Sequence, residues 1–179
     1  MSGFTLFAQP WWVNLLFLVP VAAYFTIRKK GTILTKRRLL LAGIFGIAFG
    51  FVETAVVVYL RAASGLPSGY GETLSTELPN ALAAIEPLRE AATIVMLAAA
   101  ALLVGRGVRD RLMAFFWMFA FWDISYYFWL WYLVKWPTSL LTPDVLFLIP
   151  VPWLSQVWFP ILVSGATILV IAMAKRRKE

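Results

Sequence analysis

LLLAGIFGIAFGFVETAVVVYL, residues Leu39 to Leu60, decides the fold. These 22 residues carry a single charged side chain, Glu53. A helix needs roughly 20 apolar residues to cross the hydrocarbon core of a bilayer. Four more apolar segments surround this one: about Trp11–Ile27 before it, then about Pro87–Gly105, Leu112–Val134 and Trp153–Ala174 after it. The chain is 61% hydrophobic and 14% charged, where soluble domains average about 25% charged. The expected fold is all-α, a single integral membrane domain over residues 1–179 built as a polytopic bundle of five transmembrane helices.

Orientation follows from the basic residues. Arg28, Lys29, Lys30, Lys36, Arg37 and Arg38 follow the first segment. Arg106, Arg109 and Arg111 lie between the third and fourth, and Lys175, Arg176, Arg177 and Lys178 form the tail. These are 13 of the 16 Lys and Arg residues, all on alternate connections. The expectation is a multi-pass protein of the cell's inner (plasma) membrane, with the N-terminus outside and the C-terminus cytoplasmic. The net charge of +7 is thus a topology signal, with membrane lipids as partners and no nucleic acid. The N-terminal region lacks basic residues and no small-x-small site follows the first apolar run, so no cleavable signal peptide is expected.

The outer connections, 61–86 and 135–152, are the long ones. The first is rich in Gly, Pro, Ser and Thr and reads as a loop. It ends in NALAAIEPL, a short surface helix capped by Asn80, with the third span starting at Pro87. The second contains Thr142, Pro143 and Asp144, which resemble the N-cap and first turn of a short interfacial or re-entrant helix before the last span. Pro20 and Pro160 are expected to kink the first and fifth spans.

Composition excludes much chemistry. The chain has no Cys and no His, which removes disulfides, thiolate metal sites, imidazole bases and histidine-ligated haem. No cofactor and no metal site is expected. No P-loop, G-x-G-x-x-G, G-x-S-x-G or H-E-x-x-H signature is present.

Intramembrane acids remain. A carboxylate in hydrocarbon costs roughly 2.5–3.5 kcal/mol on insertion scales, so one that is kept marks a candidate site. Glu53 lies in the second span and Asp123 in the fourth. At about 1.5 Å rise per residue, Glu53 sits roughly 10 Å below the outer end and Asp123 near the midplane. Arg89 and Glu90 fall at the outer mouth of the third span, with Thr93 one turn deeper. Helical phase turns these groups inward. Gly43, Gly46 and Gly50 share the face of Glu53, and small residues so spaced let helices approach closely. Glu86, Arg89, Glu90 and Thr93 share one face of the third helix. Phe116, Phe119, Tyr126 and Tyr127 share a face with Asp123, and either tyrosine hydroxyl is a candidate partner for its carboxyl. The simpler alternatives are that Glu53 pairs with Arg61, Arg89 or a tyrosine and only locks helices together, and that Asp123 stays neutral and hydrogen-bonds a backbone carbonyl. Gln156, Ser164 and Thr167 on the last span read as interhelical hydrogen bonds.

Residues 115–136 hold 13 aromatic side chains in 22 positions, Trp122 among them. Beyond packing, such faces attract cations and suit a large apolar or planar ligand. The combined expectation is an outward-facing intramembrane pocket for a lipophilic or small ligand. Glu53, Glu90 and Asp123 would be its acid–base groups, and Arg89, Thr93, Trp122, Tyr126 and Tyr127 its ligand contacts. Brønsted-acid chemistry on an isoprenoid-like substrate is its concrete form, since that needs neither His, Cys nor metal. Two other classes stand beside it. One is an accessory or assembly subunit with a membrane-protein partner or as a homo-oligomer; the other is a small proton-coupled transporter.

Overall fold

The computed structural model describes residues 7–63 and 80–174 of the chain. Its element order is a 3₁₀ helix (Trp11–Phe17), α1 (Leu18–Lys30), α2 (Lys36–Ala63), α3 (Asn80–Val104), α4 (Val108–Val134), β1 (Pro143–Phe147), β2 (Trp153–Gln156) and α5 (Trp158–Ala172). The fold is mostly helical. Three stretches are long and apolar enough to cross a membrane: Trp11–Arg28, Lys36–Leu60 and Ala84–Val104. α5 is apolar but shorter, at 15 residues. α4 has the length, 27 residues, but its Trp and Tyr side chains make it less apolar than an aliphatic span.

Several local expectations are corrected. The stretch after Thr142 is no helix: β1 and β2 form an antiparallel hairpin, so the fold is not purely α. Pro143 opens the strand, a position that tolerates a missing N–H. The run Val145–Phe147 is β-branched and aromatic, which suits a pleated surface better than a helix. Pro150 and Pro152 lie in the turn. The last apolar segment is therefore a strand followed by a helix, and Pro160 falls in the first turn of α5, where no intrahelical partner is lost. Residues 80–104 are one helix running through Pro87 rather than a surface helix followed by a span. The first span begins as a 3₁₀ helix and turns α at Leu18. Pro20 follows closely, and its absent N–H would otherwise have bonded Leu16. The central part of the first long connection, 64–79, lies outside the described residues.

Helix directions alternate. At one end the Trp117 indole donates to the Leu39 carbonyl at 2.7 Å, and at the other Val57 packs with Tyr127 and Leu130, so α2 and α4 run parallel. α3 runs against them: Thr93 meets Glu53, while Leu97 and Ala101 join Leu39 and Ala42 in the core. α5 also opposes α4, with Val157 near Leu130, Ser164 bonded to Asp123 and Ile171 near Met113. α1 follows α5, from the Phe17–Phe159 ring contact of 4.9 Å to the shared cluster of Ile27 and Ile171. α4 is thus central. It packs on α2, α3 and α5 and carries the largest set of buried residues among the described helices.

Candidate functional site: a cavity between the helices and the hairpin

The site begins with close backbone approach. A Cβ on Gly46 would lie 2.6 Å from the Met118 carbonyl oxygen, and one on Gly50 would lie 2.8 Å from that of Trp122. Only glycine admits α4 this near to α2. Thr54, one turn past Gly50, donates its hydroxyl to the Gly50 carbonyl at 2.9 Å and to the Tyr126 carbonyl at 3.1 Å. Glu53 follows on the same face and is 5% exposed. It accepts from the Thr93 hydroxyl at 2.7 Å and pairs with the Arg89 guanidinium. Arg89 also holds Glu86, one turn earlier on α3, through Nη2 at 2.7 Å and Nε at 3.1 Å. Glu53, Arg89, Glu86 and Thr93 therefore form one network joining α2 to α3. Here the simpler sequence reading, a Glu53–Arg89 pair, describes the contact.

Two further acids take partners other than those expected. Asp123 accepts from the Ser164 hydroxyl of α5 at 2.7 Å, not from a tyrosine. Its second oxygen has no protein partner among the described residues. Tyr127 donates instead to Asp144 at 2.7 Å, tying α4 to β1. Glu90, one position past Arg89, turns toward the hairpin and accepts from the Leu148 backbone N–H at 2.8 Å. Of the other polar residues on the last segment, the Thr167 hydroxyl donates to Val163 on its own helix, and Gln156 accepts from the Trp158 indole.

These groups surround one cavity of about 400 Å³. All eight residues singled out in the sequence line it: Glu53, Arg89, Glu90, Thr93, Trp122, Asp123, Tyr126 and Tyr127. Other walls come from Phe115, Phe116 and Phe119 of α4, from the hairpin, and from the first turns of α5. The hairpin contributes Phe147 and Trp153, whose rings lie 5.3 Å apart, and Phe147 stacks on Phe119 at 6.3 Å. The volume is in the range of sites for small organic molecules.

Sequence reasoning missed Asp144, Phe147, Trp153 and the role of Ser164 as the partner of Asp123. Asp144 carried a usable signal. It is an acid inside the apolar run LLTPDVLFLIP, the same criterion that marks Glu53 and Asp123. Reading it as part of a helix start hid that. Phe147 and Trp153 could be placed only once the hairpin folded back.

Among the described residues the lining holds four carboxyl groups and one guanidinium, and that guanidinium is engaged. Among the described residues, no group of three or more acidic side chains is placed to hold a metal ion. The structure thus defines a helical bundle with apolar spans and an internal acidic, aromatic cavity. Comparison with protein-family models, with curated proteins and with solved structures finds no match to this chain.

Proposed function

We propose that this chain is a multi-pass membrane protein that holds a lipophilic small molecule within its helical bundle. The observation that carries the reading is the single cavity joining Glu53, Glu90 and Asp123 between aromatic walls. A bundle built only to pack would fill such a space, because interiors approach crystalline density and voids forfeit dispersion contacts. The basic residues support an N-outside, C-cytoplasmic orientation, which puts the hairpin and the mouth of the third helix on the outer side. In this reading the Glu53–Arg89–Glu86 network fixes the wall between α2 and α3. Asp123, with one oxygen that meets no protein donor among the described residues, has capacity left for a ligand. The aromatic faces that would hold an apolar body would also stabilise a carbocation, so Brønsted-acid chemistry, which needs Asp123 protonated, is the alternative use of the same cavity.

The test is mass spectrometry of the organic extract of detergent-purified protein, wild type beside Ala120→Phe. Ala120 is 1% exposed and lines the cavity, so a phenyl ring there fills space the ligand needs. A lipophile should be recovered from wild type and lost from the variant. Equal recovery from both sinks the proposal. A wild type that carries none and copurifies in fixed ratio with a second membrane protein points to an accessory subunit instead.

A further inference from the structure

We infer that the ligand of this cavity bears a cationic head, as in a lipophilic amine, docked on Asp123. The inference rests on the cavity being a binding site and names the class of molecule it takes.

The argument is one of charge and of spent capacity. Each carboxyl of the lining has at least one partner, and none shows fewer donors than Asp123. Glu53 is bonded at both oxygens, by Thr93 and Arg89. Glu90 is bonded to the hairpin backbone, and Asp144 holds the Tyr127 hydroxyl. Asp123 has one hydroxyl donor and a second oxygen with no partner among the described residues. It also stands in the most aromatic wall, between Phe119, Trp122 and Tyr126 on its own helix and Phe147 of the hairpin. A buried ionised carboxyl is stable only with an opposite charge or several donors. The protein supplies neither in full. An ammonium group supplies both, and the surrounding ring faces attract it further.

The same inventory rejects an anion. Among the described residues Arg89 is the one cation of the lining, and all three of its guanidinium nitrogens already meet Glu53 or Glu86. A fatty acid, a phosphate head or a diphosphate ester would meet three further carboxyls with no free cation to answer them. A neutral alcohol fits the walls and suits a protonated Asp123, but brings no charge to the ionised one.

Three probes of nearly equal shape separate these cases: 1-naphthylmethylamine, 1-naphthylmethanol and 1-naphthoate. Binding to the full-length protein in detergent is read by titration calorimetry and by thermal shift. The expected order is amine over alcohol, with naphthoate unbound. Asp123→Asn should weaken the amine at least about tenfold, the scale of one charge-assisted hydrogen bond, until it binds no better than the alcohol. Detectable alcohol binding shows that the variant keeps its cavity. Ser164→Ala removes the hydroxyl and keeps the carboxyl, so the amine preference should persist there even if Asp123→Asn fails to fold. Naphthoate bound as tightly as the amine, or an amine affinity untouched by Asp123→Asn, overturns the cationic head and leaves the cavity as a binding site. Failure of all three probes with the wild type overturns both.

Discussion

Arg89 and Glu53 do unequal work. Among the described residues, Arg89 is the one cation paired with Glu53, whereas Arg89 itself holds two carboxylates. Removing the cation leaves a 5% exposed carboxyl with only Thr93 as donor. Arg89→Met should therefore cost about 3–5 kcal/mol, the usual range for breaking a buried pair. Glu53→Gln should cost less, about 1.5–3 kcal/mol, because Arg89 keeps Glu86 and Thr93 keeps an acceptor. In the double variant the two losses should fall short of their sum, since the stranded carboxylate is gone. Unfolding in detergent checks this. Equal losses for the two single variants would mean that the network is solvated rather than desolvated.

At the scale of the element, α2 and α4 are held together by absent side chains. Gly46→Ala places a methyl against the backbone of α4, which cannot rotate away as a side chain can. The expected loss is about 1–3 kcal/mol, the range for overpacking. Gly165→Ala on α5 meets nothing within 4 Å and should be neutral or stabilising by up to about 1 kcal/mol. Thermal melting of the two variants side by side measures the contrast, and a Gly46→Ala protein as stable as wild type would remove the glycine seam from the account. This seam was legible in the sequence because Gly43, Gly46, Gly50 and Glu53 repeat with the period of one helix, and period translates directly into a face. The alternation of helix directions was legible for a similar reason, as apolar runs joined by short basic connections leave few other paths. The hairpin was not. TPDVLF suits both a helix start and a strand, and what decides between them is the partner strand Trp153–Gln156, ten residues on. The pairings inside the cavity were hidden for the same reason. Phase puts Tyr127 and Asp123 on one side of α4, but it cannot show that β1 brings Asp144 nearer to the tyrosine and α5 brings Ser164 nearer to the acid.

For the whole molecule, the proposed orientation is open to direct measurement. Lys30→Cys lies at the basic end of α1 and Thr138→Cys on the exposed connection after α4. In intact cells an impermeant maleimide should label the second and reach the first only after permeabilisation; the reverse pattern inverts the protein. The apolar surface fits a lipid surround. Leu41 of α2, Val95 and Leu103 of α3 and Leu169 of α5 are each more than half exposed, part of an apolar surface spread over three helices.

The hairpin, finally, has a bearing on the order in which the molecule can be made. Its second strand is bonded on its far side to the very start of the described chain, Gln9 to Leu154 in both directions at 2.8 and 2.7 Å. β1 and β2 also wall the cavity. A nascent chain that has delivered α1 to α4 therefore has Glu53, Glu90, Asp123 and most of the aromatics, but neither Asp144 nor the hairpin wall. The backbone groups of Gln9 find these partners only once Leu154 has been made. The hairpin wall of the cavity and the seat of Gln9 therefore form together, after α1 to α4 are made.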